Sequence, residues 1–186
     1  MRRRGVLAAA AAFPVAGLAA GAGSLTRPIP ASGEPLPAIG LGTWLTFDVA
    51  LDDASAVAAR ADVLRVFFAG GGTLIDSSPM YGRAEQLLGQ LLRAAPDARP
   101  FCATKVWTPF TAYGPSQMEQ SLRLWRMARC DLIQVHNLLN VDAHLKTLRR
   151  WKDQGRTRYV GITTSHGRAH DEVARLLRAE RLDFLQ

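Results

Sequence analysis

The sequence predicts an α/β fold of parallel strands, and three features of its 186 residues carry that expectation. Short apolar runs alternate with amphipathic stretches of helical period. The alternation recurs at intervals of about 25 to 35 residues, the size of a strand-helix unit. Polar residues able to do chemistry collect where the apolar runs end. Composition agrees with a folded domain, at 48% hydrophobic and 21% charged. Length alone favours an open, doubly wound sheet, complete at this size, over a closed eight-stranded barrel, which takes about 250 residues.

The chain opens outside that rhythm. Met1–Arg4 is basic, Gly5–Ala22 is apolar and rich in Ala and Gly, and small residues follow around Ala19–Ser24. That order is the layout of an export signal over residues 1–24. The Arg2-Arg3-Arg4 run before it resembles a twin-arginine signal, which places the protein outside the cytoplasm, in a periplasm. An uncleaved membrane anchor and a misassigned start are the alternatives. Residues 25–37 hold Pro28, Pro30, Pro35 and Pro37 and read as an extended linker. The folded unit is expected over residues 38–186.

Within it the expected strands are Ala38–Trp44, Thr73–Ser77, Phe101–Val106, Asp131–His136 and Thr157–Thr163, with a last one opening at Asp183. Helices are expected between them. Asp53–Ala69 presents Val57, Val63, Leu64, Phe67 and Phe68. Tyr81–Ala94 presents Leu87, Leu88, Leu91 and Leu92, and stops before Pro96. Ser116–Met127 opens with Ser116 and Glu119 at capping-box spacing. Asp142–Asp153 opens on a capping Asp142 and aligns Leu145, Leu148 and Trp151. Arg168–Arg181 aligns Val173, Leu176 and Leu177. The Gly70-Gly71-Gly72 run precedes a strand and reads as a helix stop rather than a phosphate loop.

Charge and cysteine count exclude several classes. Basic residues outnumber acidic ones by seven, and by four once Arg2–Arg4 are set aside. No basic run is interleaved with aromatics, so no nucleic-acid partner is expected. Cys102 and Cys130 fall on neighbouring strands at different heights, about 10 Å apart by strand rise, and are expected as free thiols. His166 and His170 stand four apart, but no third ligand is spaced to match, so no metal site is expected. His144 reads as a surface residue.

In a parallel α/β fold chemistry gathers at the carboxyl ends of the strands. Here the second strand ends in Asp76 and runs into Ser77-Ser78-Pro79-Met80-Tyr81-Gly82. The third ends at Lys105, the fourth at His136, the fifth at Thr163-Thr164-Ser165. Alternation puts Asp76 in phase with Leu74, Lys105 with Ala103, and His136 with Gln134. One face therefore carries a carboxylate, an ammonium and an imidazole to a common end, where Tyr81 adds a phenol. Singly, each has a plainer reading: a buried Lys105–Asp76 ion pair, a helix-opening Tyr81, a core His136. Their joint occurrence is what points to a site.

These motifs together resemble the aldo/keto reductase family. Leu36–Trp44 (LPAIGLGTW) is similar to its first strand, and Gly71–Gly82 (GGTLIDSSPMYG) to its second strand and catalytic loop. Ala103–Val106 (ATKV), Asp131–His136 (DLIQVH) and Tyr159–Ser165 (YVGITTS) are similar to the next three strands, and Phe184–Gln186 to the opening of the sixth. The resemblance implies a (β/α)8 TIM barrel, here incomplete, with about five βα units and the start of strand six. It overrules the preference drawn from length. It further implies hydride transfer between a nicotinamide cofactor, NADP(H) or alternatively NAD(H), and a small carbonyl substrate. Asp76, Tyr81, Lys105 and His136 would be catalytic. Tyr81 would be the general acid, its pKa near 10 lowered by Lys105, which Asp76 holds. His136 would donate to the carbonyl oxygen. Gly42, Thr43, Asp76, Thr163, Thr164, Ser165 and Gln186 would meet the cofactor, and Trp44 and Trp107 would wall the substrate pocket. The Thr163-Thr164 pair departs from the Ser-Asn usual in the family.

Three strands are missing relative to a closed barrel, so the chain is expected to be either a fragment of a longer product or a relic inactive alone. Two other functions stand beside the reductase: a non-catalytic sensor that binds the cofactor, and a doubly wound nucleotide-binding domain. The second lacks a glycine-rich strand-to-helix turn.

Overall fold

The protein is described by a computed structural model over residues 25–165 and 167–186, so the expected export signal and His166 lie outside the described residues. The order is β1 (Thr26–Pro28), β2 (Pro35–Pro37), β3 (Leu41–Gly42), α1 (Ala54–Ala69), β4 (Leu74–Asp76), α2 (Ala84–Arg93), β5 (Phe101–Val106), α3 (Gly114–Trp125), β6 (Cys130–Val135), α4 (Val141–Asp153), β7 (Thr157–Ile162), α5 (His170–Ala179) and β8 (Phe184–Leu185). Strands β3 to β8 form one six-stranded parallel sheet whose spatial order is its sequence order. A doubly wound sheet reverses its order part-way. This one adds each strand on the same side and curls, which makes it a half-barrel.

The two faces of the sheet are chemically distinct because side chains alternate. The helix side is the main core, where Ile75, Cys102, Ile133, Val135, Val160 and Ile162 meet Leu87, Leu88, Met118, Leu145, Leu148 and Leu176. The concave side begins with an aromatic layer of Phe101, Tyr159 and Phe184, in mutual ring contact, beside Leu132 and Ala103. Above that layer, toward the strand C-termini, the concave face turns polar with Gln134, Lys105, Asp76 and His136.

The segment 25–37 is not a linker. β1 and β2 pair antiparallel, and Ile29 at their turn is buried in the aromatic layer. Prolines permit this because the flanking ladder bonds come from other residues: Ile29 N donates to Glu34 O and Ala38 N to Leu25 O. Tyr159 Oη donates to Glu34 Oε2 at 2.7 Å, Ser32 lies 2.7 Å from the same phenol, and Arg158 pairs with Glu34. The hairpin thus closes the end of the half-barrel opposite the polar mouth.

Several helix starts differ from expectation, α5 among them, which begins at His170 rather than Arg168. Asp53 caps α1 as its position suggests, accepting from Ala56 N at 2.9 Å. Ser116 does not cap α3: Pro115 fits the first turn, where its missing N–H costs nothing, and the helix begins at Gly114. Ser116 Oγ donates back to Tyr113 O instead. Asp142 lies inside the first turn of α4, whose cap is Asn140 in the left-handed region. Tyr81 sits in the turn before α2, which begins at Ala84. His144 is not on the surface. It is fully buried between α4 and α3, with Nε2 2.7 Å from Thr108 O and the ring against Gly114. Cys102 and Cys130 are free and buried.

Candidate active site

The mouth is assembled by strand register. β4 pairs with β5 so that Asp76 lies beside Ala103, and β5 with β6 so that Lys105 lies beside Gln134. One residue beyond β6 stands His136. The turn after β4 is shaped by Gly82 at φ 57°, where a Cβ would fall 2.3 Å from the Asp48 carboxylate. Asp48 accepts from Arg83 N at 3.0 Å. Glycine is required there, and the clamp delivers Tyr81 over the mouth.

Lys105 is 1% exposed, and its three ammonium protons are all placed: Asp76 Oδ1 at 2.7 Å, Asp76 Oδ2 at 2.6 Å and Ser77 O at 2.9 Å. Burial draws its pKa down while Asp76 draws it up. Nζ lies 5.2 Å from the centre of the Tyr81 ring. No ammonium proton is left over for the phenol. Burial, and then the negative charge of Asp76, raise the Tyr81 pKa above its ordinary 10. The expected lowering by Lys105 is not found: its ammonium is directed at Asp76 and Ser77, and burial and the Asp76 charge act the other way.

The His136 ring meets the Tyr81 ring edge to face, with centroids 5.8 Å apart. Burial, reinforced by the Lys105 charge, lowers the imidazole to about 4, so it is neutral at physiological pH. The four expected catalytic residues thus form one cluster.

The remaining expected residues lie around it in different states. Thr43 is buried, and its hydroxyl bonds Asp76 O and Ser77 Oγ, each at 3.0 Å, so its side chain holds the β4 loop. Gly42 is exposed, and a Cβ there would meet nothing within 4 Å. Thr163 is buried, its Oγ1 accepting from Asn137 N at 3.2 Å. Thr164 N donates to Gln186 O, and Ser165 bonds Asn137 Oδ1. Gln186 reaches Asp76 Oδ2 at 3.4 Å and accepts from Gln134 Nε2 at 3.1 Å. Trp44 and Trp107 stand exposed on the loops after β3 and β5. His170 opens α5, and among the described residues no group of three or more His, Cys, Asp and Glu is arranged to hold a metal.

A model of the aldo/keto reductase family matches residues 38–185. The chain belongs to the aldo/keto reductase family. Among solved structures, an aldo/keto reductase of Klebsiella pneumoniae in complex with NADP and acetate is 26% identical, with a TM-score of 0.63, over 77% of this chain and 51% of that one. An aldo/keto reductase of Pseudomonas aeruginosa is 28% identical, with a TM-score of 0.65, over 75% and 59%. A glycerol dehydrogenase of Gluconobacter oxydans, 24% identical, shares the fold at a TM-score of 0.67 over 87% and 54%. The chain therefore spans between half and three fifths of these proteins.

Seen as an aldo/keto reductase, the mouth has members that the sequence alone did not offer. Ser78 Oγ lies 2.9 Å from His136 Nδ1, and Ser77 contributes a backbone carbonyl. Asn137, left-handed at φ 52°, bridges the loops after β6 and β7. Gln134 Oε1 is buried without a partner. The position of Ser78, two after Asp76 and three before Tyr81, was the available signal for the first. Nothing in the sequence signalled the left-handed turn.

The residues present fit a nicotinamide nucleotide. Gly42 leaves open backbone for a flat ring, and the Gln186 amide and the part-exposed Asp76 carboxylate supply the donors and acceptors that a carboxamide and a ribose require.

Proposed function

We propose that the protein reduces aldehydes or ketones to alcohols with NADPH, with NADH as the alternative donor. The convergence of Asp76, Tyr81, Lys105 and His136 at one mouth carries this reading. Gly42, Asp76, Thr163, Thr164 and Gln186 would hold the cofactor, which supplies the hydride when bound.

The chain's own residues handle the oxygen and the proton. The carbonyl oxygen sits between His136 and Tyr81. Neutral His136 donates a hydrogen bond to it, and the bond strengthens as negative charge develops there. Tyr81 then gives its hydroxyl proton to that oxygen. A phenol whose pKa is raised is fully protonated at neutral pH, and an alkoxide is far more basic, so the transfer runs downhill. Lys105 keeps Asp76 and the Ser77 carbonyl in register under the phenol. Trp44 and Trp107 supply apolar walls for the substrate.

Residues 1–24 carry a second proposal, export through a twin-arginine route, which intact-mass measurement of the secreted product tests by their loss. The reductase reading is tested by mixing the full chain with NADPH and a panel of aliphatic, aromatic and keto compounds. Carbonyl-dependent oxidation of NADPH is expected. Binding of NADPH without oxidation by any of them contradicts it and leaves a cofactor-binding module.

A further inference from the structure

Ser78 stands at the back of the mouth with no exposed surface, on the turn between Asp76 and Tyr81. Its hydroxyl oxygen accepts from Met80 N at 3.3 Å, which occupies one lone pair. Its proton has one acceptor in reach among the described residues, His136 Nδ1 at 2.9 Å. An imidazole nitrogen that accepts a proton donor is unprotonated, so in the neutral ring the proton resides on the other nitrogen. His136 is itself nearly buried, and Nδ1 meets Ser78 without solvent between them. We infer that Ser78 is a positioning residue, whose hydroxyl donates to Nδ1 and holds His136 as the tautomer with its proton on Nε2, the nitrogen free to donate to a carbonyl oxygen.

The arrangement ties two strands across the mouth. Ser78 belongs to the loop after β4 and His136 follows β6, so one hydrogen bond fixes both the ring plane of His136 and the turn that carries Tyr81. The same bond also favours the neutral ring, since a protonated Nδ1 would have no acceptor in a hydroxyl that points its proton at it.

The catalytic consequence rests on the reductase reading; the tautomer does not. The test is nitrogen NMR of the full chain labelled at histidine, with kinetics beside it. For the unaltered chain at neutral pH, His136 should show Nε2 protonated and Nδ1 bare and hydrogen-bonded. A proton on Nδ1 overturns the inference whatever the variants do. In Ser78→Ala the Nδ1 resonance should move to that of a free pyridine-type nitrogen. Its kcat should fall about ten- to a hundredfold, the range found when the hydrogen-bond partner of a metal-ligating histidine is removed, with KM nearly unchanged. Ser78→Thr keeps the hydroxyl and should restore both the resonance and kcat. An unchanged His136 nitrogen spectrum in Ser78→Ala overturns the inference. A chain that shows the expected tautomer but oxidises no NADPH would sink the reductase reading alone.

Discussion

At the scale of single residues, the mouth gains its chemistry by removing water from charges that are already paired. Lys105 directs its ammonium at Asp76 and Ser77, burial and Asp76 raise the Tyr81 phenol, and burial with the Lys105 charge keeps His136 neutral. The imidazole also leaves a mark on stability. Its folded pKa, about 4, lies below the unfolded 6.5, so the unfolded chain takes up the proton first as pH falls. The stability it contributes is whole above about 6.5 and is lost as pH drops through about 4. Urea melts between those values should show that slope, and His136→Gln should lessen it; an equal slope in the variant would refute the assignment. Asp76, Lys105 and His136 stood out in the sequence because each is a polar residue ending an apolar run, and Tyr81 because it follows on the loop after Asp76. Ser78 and Asn137 were not, because their partners lie 58 and 26 residues away and one depends on a left-handed backbone.

At the scale of elements, the strands and helices followed their hydrophobic periods, while their ends followed details that a pattern does not carry. α2 and α3 touch so closely that a Cβ on Gly89 would fall 1.8 Å from Leu124 O. Glu85, one turn earlier, is buried between these helices and β5, and accepts from Thr104, Ser121 and Trp125 at 2.5, 2.9 and 3.1 Å. Burial raises its pKa and the three donors oppose the rise. Truncation would orphan all three donors beneath β5, the strand that carries Lys105. Glu85→Ala should therefore cost about 3 kcal/mol in chemical denaturation. A loss below about 1 kcal/mol, the scale of a single net hydrogen bond, would mean the donors find other partners.

At the scale of the whole molecule, the half-barrel has a closed end and a working end. The hairpin β1–β2 closes the first, and its reading as a linker failed because four prolines in thirteen residues look like a spacer until their partners are known. Ile29 is its anchor at 3% exposure. Ile29→Ala should destabilise the fold by about 2 to 4 kcal/mol, by lost burial and a residual cavity, and leave NADPH affinity unchanged, as fluorescence titration would show. Length misled in the same way: 186 residues suit a complete doubly wound sheet, and the strand order shows a curled one instead. At the other end, the loop after β4 brings one phenol over the Lys105–Asp76 ion pair of β4 and β5. The most direct measurement is carbonyl-dependent NADPH oxidation by the full chain and by Tyr81→Phe, with NADPH affinity measured on both. Turnover should fall about a hundred- to ten-thousandfold, the range of a lost general acid, while affinity holds. A Tyr81→Phe chain that reduces carbonyls as fast as the unaltered one would contradict the assignment of Tyr81 as the proton donor.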